Sequence, residues 1–286
     1  MNKQVTLFEM GPRDGLQNEK AHIPTADKIA FVDLLSGAGL QKIEVTSFVS
    51  PKWVPQMADA AAVLSGINRR SGVTYAALTP NLQGFHAAVA AKATEVAIFG
   101  SASETFSQKN INCSIAQSIE RFKPVMDAAQ AAGIRVRGYV SCAVHCPYEG
   151  AVPPENAASL AKQLLDIGCY EISLGDTTGQ GTPSTIASML AAVLPVVPAD
   201  KLAGHYHDTG GQALDNVEVS LQHGVRTFDA ATGGLGGCPY APGAKGNVAT
   251  ATVVHRVESL GYTTGVDLDT LQRAETFIKH IVDTAA

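Results

Sequence analysis

The chain of 286 residues has few charged side chains, few aromatic side chains and no excess of basic residues. Charged residues make up 16% of the sequence and hydrophobic residues 45%, which is typical of a protein with a large buried core and not of a disordered chain. The formal net charge is −5, so the composition gives no general basic surface for nucleic acid. An anionic ligand must therefore be held by local cations.

Long apolar runs are missing too. No stretch approaches the roughly 20 residues that span a bilayer, so we predict no membrane segment. The N-terminal Met-Asn-Lys-Gln-Val leads directly into an apolar run without the features of a signal or transit peptide, which predicts a cytoplasmic location. The cysteines are odd in number and scattered, as expected for free thiols in a reducing compartment: Cys113, Cys142, Cys146, Cys169 and Cys238.

The sequence also lacks linkers, charge blocks and short repeats, so residues 1–286 are predicted to form a single domain. Short β-type runs alternate with helical periodicity. The predicted strands are Val5–Met10, Lys42–Phe48, Val73–Leu78, Glu95–Phe99, Ile134–Val140, Glu171–Leu174, Lys201–His207 and Thr227–Ala230. The predicted helices are Thr25–Ser36, Leu82–Ala91, Ile115–Ala132, Glu155–Leu165, Pro183–Leu194, Ala213–His223, Val248–Ser259 and Asp267–Val282.

This alternation predicts a (β/α)8 TIM barrel with an additional C-terminal helix packed on its outside. Pro183 fits the first turn of its helix, and Gly37, Gly133, Gly168, Gly224 and Gly261 follow helices where a left-handed cap is favoured. An open doubly wound sheet fits less well, because eight units exceed its usual size and no Gly-x-Gly-x-x-Gly opens the first helix.

The most informative motif is His205-Tyr206-His207-Asp208, directly after a short apolar run. Because side chains alternate along a strand, His205 and His207 are predicted to face the same side and to form a chelating pair for a divalent ion. Other polar residues follow predicted strands, namely Arg13, Asp14, Asp176, Cys238 and Asn247. Glu44 lies within the second predicted strand, between apolar residues, where an acid must point into a polar environment. In a barrel the strand ends share one rim, which favours one catalytic site.

Structural interpretations of the same residues stay open at this point. Asp14, Asp176 and Asp208 also fit as helix N-caps, and Glu44 fits as half of an ion pair with Arg137. Carboxylate, imidazole and amide ligands from Asp14, His205, His207 and Asn247 suit Mg²⁺ or Mn²⁺. Zinc is the alternative, with ligands from Cys142, His145, Cys146 and Cys238, although the cysteine spacing is unusual for a closed zinc site.

The segment Gly233–Asn247 is rich in glycine but lacks the Gly-Lys-Ser/Thr of a phosphate-binding loop. We therefore predict a mobile lid that brings Cys238 over bound substrate and excludes water. A thiol in that position can act as a general acid or base if its pKa is tuned.

Several of these segments closely resemble the 3-hydroxy-3-methylglutaryl-CoA lyases, over nearly the whole chain. The segments are Met10-Gly-Pro-Arg-Asp-Gly-Leu-Gln-Asn-Glu-Lys20, Thr46-Ser-Phe-Val-Ser-Pro-Lys-Trp-Val-Pro-Gln-Met57, Leu78-Thr-Pro-Asn81, Asn110-Ile-Asn-Cys-Ser114, Gly138-Tyr-Val-Ser-Cys142, Cys169-Tyr-Glu-Ile-Ser-Leu-Gly-Asp-Thr177 and the highly specific Gly234-Leu-Gly-Gly-Cys-Pro-Tyr240. The related isopropylmalate and homocitrate synthases share the Arg-Asp and His-x-His elements but generally lack the cysteine loop.

The resemblance implies retro-Claisen cleavage of 3-hydroxy-3-methylglutaryl-CoA to acetyl-CoA and acetoacetate, as in leucine breakdown. It implies that Asp14, His205, His207 and Asn247 hold Mg²⁺ or Mn²⁺, and that Arg13 and Lys20 bind the acyl-CoA substrate. Arg13, Glu44, Asp176 and Cys238 would serve in catalysis, with the general base unassigned. It also favours a homodimer, without a crosslink through a cysteine-bearing tail.

Modest departures from the family pattern leave alternatives open. These departures leave the expected metal ligands unchanged, and they fit a pocket reshaped for a bulkier substituent, such as that of 3-hydroxy-3-isohexenylglutaryl-CoA. They are His145, Thr178, Tyr206 and Thr232-Gly233. A Claisen-type synthase is disfavoured because no length remains for a regulatory domain. A non-catalytic CoA-binding protein is disfavoured because every motif residue with a chemical role is present.

Overall fold

The protein folds around a closed barrel of eight parallel strands, seen in a computed structural model that describes residues 3–236 and 246–285. In the described residues the strands are β1 (Thr6–Glu9), β2 (Lys42–Ser47), β3 (Thr74–Leu78), β4 (Glu95–Ser101), β5 (Arg135–Ser141), β6 (His145–Cys146), β7 (Gly150–Ala151), β8 (Glu171–Asp176), β9 (Leu202–Tyr206) and β10 (Thr227–Ala230). The barrel order is β1-β10-β9-β8-β5-β4-β3-β2, and β6 and β7 form a separate antiparallel hairpin. This closure confirms the predicted TIM barrel and excludes the open doubly wound sheet.

Helices connect the barrel strands and cover their outer faces. They are α1 (Thr25–Ser36), α2 (Ala60–Gly66), α3 (Leu82–Ala90), α4 (Glu104–Ile111), α5 (Ile115–Ala132), α6 (Pro154–Asp166), α7 (Pro183–Val193), α8 (Ala213–Gln222), α9 (Thr250–Ser259) and α10 (Leu268–Ala285). The last of these packs against α1, which confirms the additional C-terminal helix. Among the described helices, none combines the length and hydropathy that a bilayer crossing requires.

The predicted helix ends are mostly confirmed. Pro183 begins α7, and the Thr182 side chain accepts a hydrogen bond from the backbone N–H of Thr185. The predicted left-handed cap at Gly37 is wrong, because its φ is −82°. The positive φ occurs instead at Gly39 (+77°), where a Cβ would lie 2.2 Å from the Gly265 carbonyl oxygen. Only glycine therefore fits that turn.

The core has two parts with different chemistry. Aliphatic side chains fill the layer between the strands and the helices, which agrees with the near-continuous apolar runs of the strands. The inside of the barrel holds a small apolar cluster that includes Phe8, Met10 and Tyr139, together with buried charged groups such as Arg137 and Asp229. Buried charged groups therefore lie inside the barrel, below its rim.

Candidate metal and catalytic site

The turn after β1 carries the first two site residues. Gly11–Gly15 form one turn of π-helix, a local distortion that is frequent at functional sites. Glycine is needed at both ends: a Cβ on Gly11 would lie 2.6 Å from Glu9 Oε1, and one on Gly15 would lie 2.8 Å from the Leu235 Cβ. The turn places the side chains of Arg13 and Asp14 along the cleft at the barrel mouth.

The two histidines at the end of β9 face the same side, as the alternation predicted. Their Nε2 atoms lie 3.3 Å apart, and each lies 3.8 Å from Asp14 Oδ2. In the described part of the chain, this triad is the one group whose His, Cys, Asp or Glu ligand atoms gather within 4.8 Å of one another. The structure therefore brings together three of the four predicted metal ligands from distant positions in the sequence.

Asn247 is brought to the same place by backbone pairing. It forms an isolated β-bridge with His207, and the Val248 N–H donates to the Tyr206 carbonyl at 3.1 Å. Its side-chain amide lies 2.7 Å from Asp14 Oδ2. All four predicted ligands are thus neighbours at one rim.

This donor set fits a divalent cation. His205 Nδ1 lies 3.1 Å from Asp229 Oδ2. A tautomer that donates to this carboxylate has a lone pair on Nε2, which faces His207 and Asp14. Burial alone would raise the pKa of Asp14, but Arg13, His207 and His205 together hold that pKa well below its usual range. An ionised carboxylate beside two imidazole nitrogens and an amide matches mixed oxygen and nitrogen ligation of Mg²⁺ or Mn²⁺.

Arg13 links this triad to Glu44. Its guanidinium donates to Asp14 Oδ1 through Nη1 and to Glu44 Oε2 through Nε. The Tyr139 hydroxyl donates to the other oxygen of Glu44 at 3.1 Å. Burial raises the pKa of Glu44, and the nearby Arg13 charge offsets only part of that effect. Glu44 therefore has the environment of a proton-transferring carboxyl group at the edge of the triad.

The suggested ion pair between Glu44 and Arg137 is wrong. Arg137 is completely buried and pairs with Asp229 at 2.7 Å and with Glu171 at 2.8 Å. Asp229 was missed by sequence reasoning, although it stands in Phe228-Asp229-Ala230, an acid between apolar residues just like Glu44. Burial opposes its ionisation, but Arg137 and His205 hold the pKa of Asp229 well below its usual value.

Asp176 has the structural surroundings of a loop anchor. Its oxygens accept hydrogen bonds from the backbone N–H groups of Gly181 (2.7 Å) and Gln180 (3.2 Å). Burial raises the pKa of Asp176, an effect that these N–H groups reduce. Its neighbours Gly175 and Thr177 line the cleft, and Asp176 itself does not.

Other predicted residues lie apart from this site or outside the described residues. Lys20 is exposed and does not line the cleft, so its binding of substrate stays a prediction. Cys238 and most of the predicted lid lie outside the described residues. The described part of the zinc alternative forms no ligand group: burial raises the pKa of Cys142 to about 12, and Cys146 Sγ accepts a hydrogen bond from Ser103 Oγ at 3.1 Å.

A cleft of about 580 Å³ opens above the triad, which is large enough for a sizeable organic ligand. Its outer wall includes Trp53 and Asn81, from the loops after β2 and β3, and Phe106 and Asn110 from α4. Of the described residues that line it, none is among the departures noted above. Tyr206, for example, points away from the site and bonds to Ser220 Oγ at 2.7 Å.

Comparisons with known proteins agree with this geometry. The HMGL-like family model matches residues 4–278. A relative from Gallus gallus, named hydroxymethylglutaryl-CoA lyase, mitochondrial, is 59% identical over 276 residues, which cover 96% of this chain and 93% of the relative.

Two solved structures share the whole barrel. The HMG-CoA lyase from Brucella melitensis superposes with a TM-score of 0.97 at 58% identity, over 98% of this chain and 99% of that chain. An HMG-CoA lyase from Acinetobacter baumannii, solved in complex with coenzyme A and 3-methylmalate, has a TM-score of 0.93 at 37% identity, over 98% and 92%. Both structures are similar to this chain beyond the site itself.

Proposed function

Because the chain belongs to the HMGL-like family, we propose that it is a carbon–carbon lyase that cleaves 3-hydroxy-3-methylglutaryl-CoA to acetyl-CoA and acetoacetate. One observation carries the proposal: ligand atoms of Asp14, His205 and His207 converge within 4.8 Å, beside Arg13 and at the floor of the cleft. The coenzyme A complex of the Acinetobacter baumannii relative supports an acyl-CoA as the substrate class.

The family is metal-dependent, and we propose that Asp14, His205, His207 and Asn247 hold Mg²⁺ or Mn²⁺. A bound divalent ion supplies positive charge that orients substrate oxygens and withdraws electron density from them. The remaining steps belong to the side chains around it.

The cleavage needs a proton to leave the C3 hydroxyl, the C2–C3 bond to break, and the electron pair of that bond to form a thioester enolate. We propose that Arg13 faces the enolate oxygen, where its permanent charge meets negative charge that develops only in the transition state. Protonation of the enolate at C2 then completes acetyl-CoA.

We assign proton transfer to a carboxyl group beside the triad and to a thiol that the sequence signature indicates. Glu44 is held by Arg13 and Tyr139 and has a raised pKa, which supports it as a proton acceptor or donor. Cys238 is proposed as its partner on the strength of the Gly234-Leu-Gly-Gly-Cys-Pro-Tyr240 signature alone. Asp176 is assigned to anchoring the loop beside the site, because backbone N–H groups occupy both of its oxygens.

The test is a lyase assay on purified protein stripped of metal, with and without added Mn²⁺, in which acetoacetate and acetyl-CoA are quantified. We expect both products in equal amounts, only with metal, and faster turnover than with 3-hydroxy-3-isohexenylglutaryl-CoA. Faster turnover of the isohexenyl substrate would reassign the substrate. Absence of cleavage by the Mn²⁺-loaded protein would overturn the activity.

We further propose a homodimer in the cytoplasm. The family resemblance supports the dimer, and light scattering on the purified protein measures it. The location is tested by fractionation of the source cells, because the Gallus gallus relative is named mitochondrial. Recovery in a membrane-enclosed compartment would contradict the cytoplasmic location.

A further inference from the structure

A chain of hydrogen bonds runs through the barrel interior beneath the metal-ligand triad. Its centre is Arg137 on β5, which is completely buried. On one side Arg137 Nη1 donates to the Tyr139 hydroxyl at 3.1 Å, and Tyr139 donates to Glu44. On the other side the guanidinium donates two hydrogen bonds to the carboxylate of Asp229 on β10, of 2.9 and 2.7 Å. This single arginine therefore connects the Arg13–Glu44 pair with the histidines.

Asp229 is the residue through which the chain reaches the triad. Its Oδ2 atom accepts hydrogen bonds from Arg137 Nη1 and from Ser173 Oγ at 2.8 Å, and it lies 3.1 Å from His205 Nδ1. Its Oδ1 atom accepts from Arg137 Nη2. The two-pronged contact with a planar guanidinium fixes the plane of the carboxylate, so the direction in which it meets the imidazole is also fixed.

We propose that Asp229, held in place by Arg137, is a positioning residue that prepares His205 to bind the metal ion. Because Asp229 is surrounded by donors, its carboxylate accepts a hydrogen bond from the N–H at His205 Nδ1. With the ring proton held on Nδ1, the other ring nitrogen, Nε2, keeps its lone pair. It also fixes the rotation of the ring, so that Nε2 points toward Asp14 Oδ2 and His207. The inference rests on the proposed metal site, since it concerns how one ligand of that site is held.

The competing interpretation is a barrel ion pair without any relation to the metal. The structure offers a matched control for it. Glu171 also pairs with the Arg137 guanidinium, through Nε at 2.8 Å, and it also lies in the barrel interior. Glu171 also contacts Lys42 and Thr227, and neither of these is a proposed metal ligand. Loss of Glu171 therefore disturbs the same arginine but leaves His205 and its Asp229 contact in place.

The main test compares Mn²⁺ binding by metal-free Asp229→Asn and Glu171→Gln, measured by electron paramagnetic resonance. In Asp229→Asn, an amide N–H can face His205 Nδ1, which favours the tautomer with the proton on Nε2 and removes the lone pair. We expect the Mn²⁺ dissociation constant of Asp229→Asn to rise about 10- to 100-fold. Glu171→Gln should stay close to the wild-type value, although both variants lose thermal stability.

Parallel measurements distinguish failure of the proposed metal site from failure of the positioning role of Asp229. If the wild-type protein binds Mn²⁺ and His207→Ala does not, the metal site stands. Equal affinities of Asp229→Asn and Glu171→Gln would then overturn the positioning inference alone. If the wild-type protein itself binds no Mn²⁺, the proposed metal site fails first.

A second measurement does not depend on the Asp229→Asn variant. Nitrogen-15 spectra of histidine-labelled, metal-free wild-type protein report which ring nitrogen carries the proton, and the signal that disappears in His205→Gln identifies the residue. We expect His205 to carry its proton on Nδ1 and to have an unprotonated Nε2. A proton on Nε2 would overturn the inference even if Asp229→Asn fails to fold.

Discussion

The Nε atom of Arg13 donates a hydrogen bond to Oε2 of Glu44, and both residues are buried. Arg13 comes from the π-helical turn after β1, whereas Glu44 lies in the middle of β2. The same guanidinium reaches Asp14 through Nη1. Its position beside a proposed metal ligand is thus fixed before any substrate arrives, which is the arrangement that electrostatic stabilisation of a transition state requires.

Arg13→Gln should act mainly on the chemical step. Loss of the charge that meets the developing enolate should lower kcat by about 10²–10³, with much smaller changes in KM and metal content. Steady-state kinetics and metal analysis measure both quantities. Arg256→Gln is the control, because that arginine pairs with Asp215 and Glu218 on the outer surface. Normal kcat with a large rise in KM would make Arg13 a substrate anchor instead.

Glu44→Gln should change the pH profile of the reaction. Because burial raises the pKa of Glu44, this group becomes protonated at a higher pH than an ordinary glutamate. If its ionised form accepts the proton, wild-type kcat should fall as the pH falls through that raised pKa. The residual kcat of Glu44→Gln, about 10²–10⁴ lower, should lack this acidic limb. Identical acidic limbs in the two proteins would contradict the assignment to Glu44.

Removal of the metal ion should abolish cleavage, and Mg²⁺ or Mn²⁺ should restore it. His207→Ala removes one of the three side chains whose ligand atoms converge. We expect its Mn²⁺ dissociation constant to rise by more than about 100-fold. This is a larger effect than the one expected for Asp229→Asn, which removes only a hydrogen-bond partner of a metal ligand. His255→Ala, at an exposed position on α9, is the matched control and should bind Mn²⁺ normally. Full activity of rigorously metal-free protein would refute the site.

The sequence was sufficient to predict the barrel because each strand is a short apolar run and most connections have a helical period. Two helices were missed. Helix α4 (Glu104–Ile111) has few apolar residues and owes its start to the Ser103 cap, and α2 (Ala60–Gly66) spans fewer than two full turns and ends at a glycine. The π-helical turn at Gly11–Gly15 was missed as well, because its geometry depends on close contacts with Glu9 and Leu235.

Local spacing predicted the histidine pair, since the alternation of a strand acts over two residues. The support beneath it depends on pairing across the barrel. Arg137 and Asp229 are separated by 92 positions in the sequence, and no local pattern relates them. Strand order brings β5, β8, β9 and β10 side by side, and only then do their inward residues meet. This explains why the structural alternative for Glu44 named the wrong arginine and why Asp229 was overlooked.

Cys238→Ser tests the one proposed catalytic residue that lies outside the described residues. A hydroxyl is a much weaker acid than a thiol, so kcat should fall by about 10²–10⁴ if Cys238 transfers a proton. Mn²⁺ affinity should be unchanged, since the proposed ligands lie elsewhere. Cys169→Ser is the control, at a buried thiol on the outside of the barrel wall. Near-wild-type turnover in folded, metal-loaded Cys238→Ser protein would remove the thiol from the mechanism.

Asp176→Asn distinguishes a loop anchor from a chemical group. The carboxylate is buried, and its two oxygens accept the backbone N–H groups of Gln180 and Gly181. An amide offers one acceptor oxygen in place of two, so one N–H loses its partner. We expect the substitution to lower the free energy of unfolding by about 1–3 kcal/mol. Because Gly175 and Thr177 line the cleft, kcat should fall in step with this local disturbance.

Gly181→Ala supplies the decisive comparison, because it disturbs the same loop but keeps the carboxylate. A Cβ at this position would lie 2.7 Å from Asp176 Oδ2, so the hydrogen bond from the Gly181 N–H must lengthen or the loop must shift. If Asp176 is an anchor, the two variants should lose thermal stability and kcat together. If Asp176 transfers a proton, Asp176→Asn should lose far more kcat than Gly181→Ala at a similar melting temperature. Thermal melts and kcat, measured on the same metal-loaded preparations, decide between the two roles, and we expect the parallel loss.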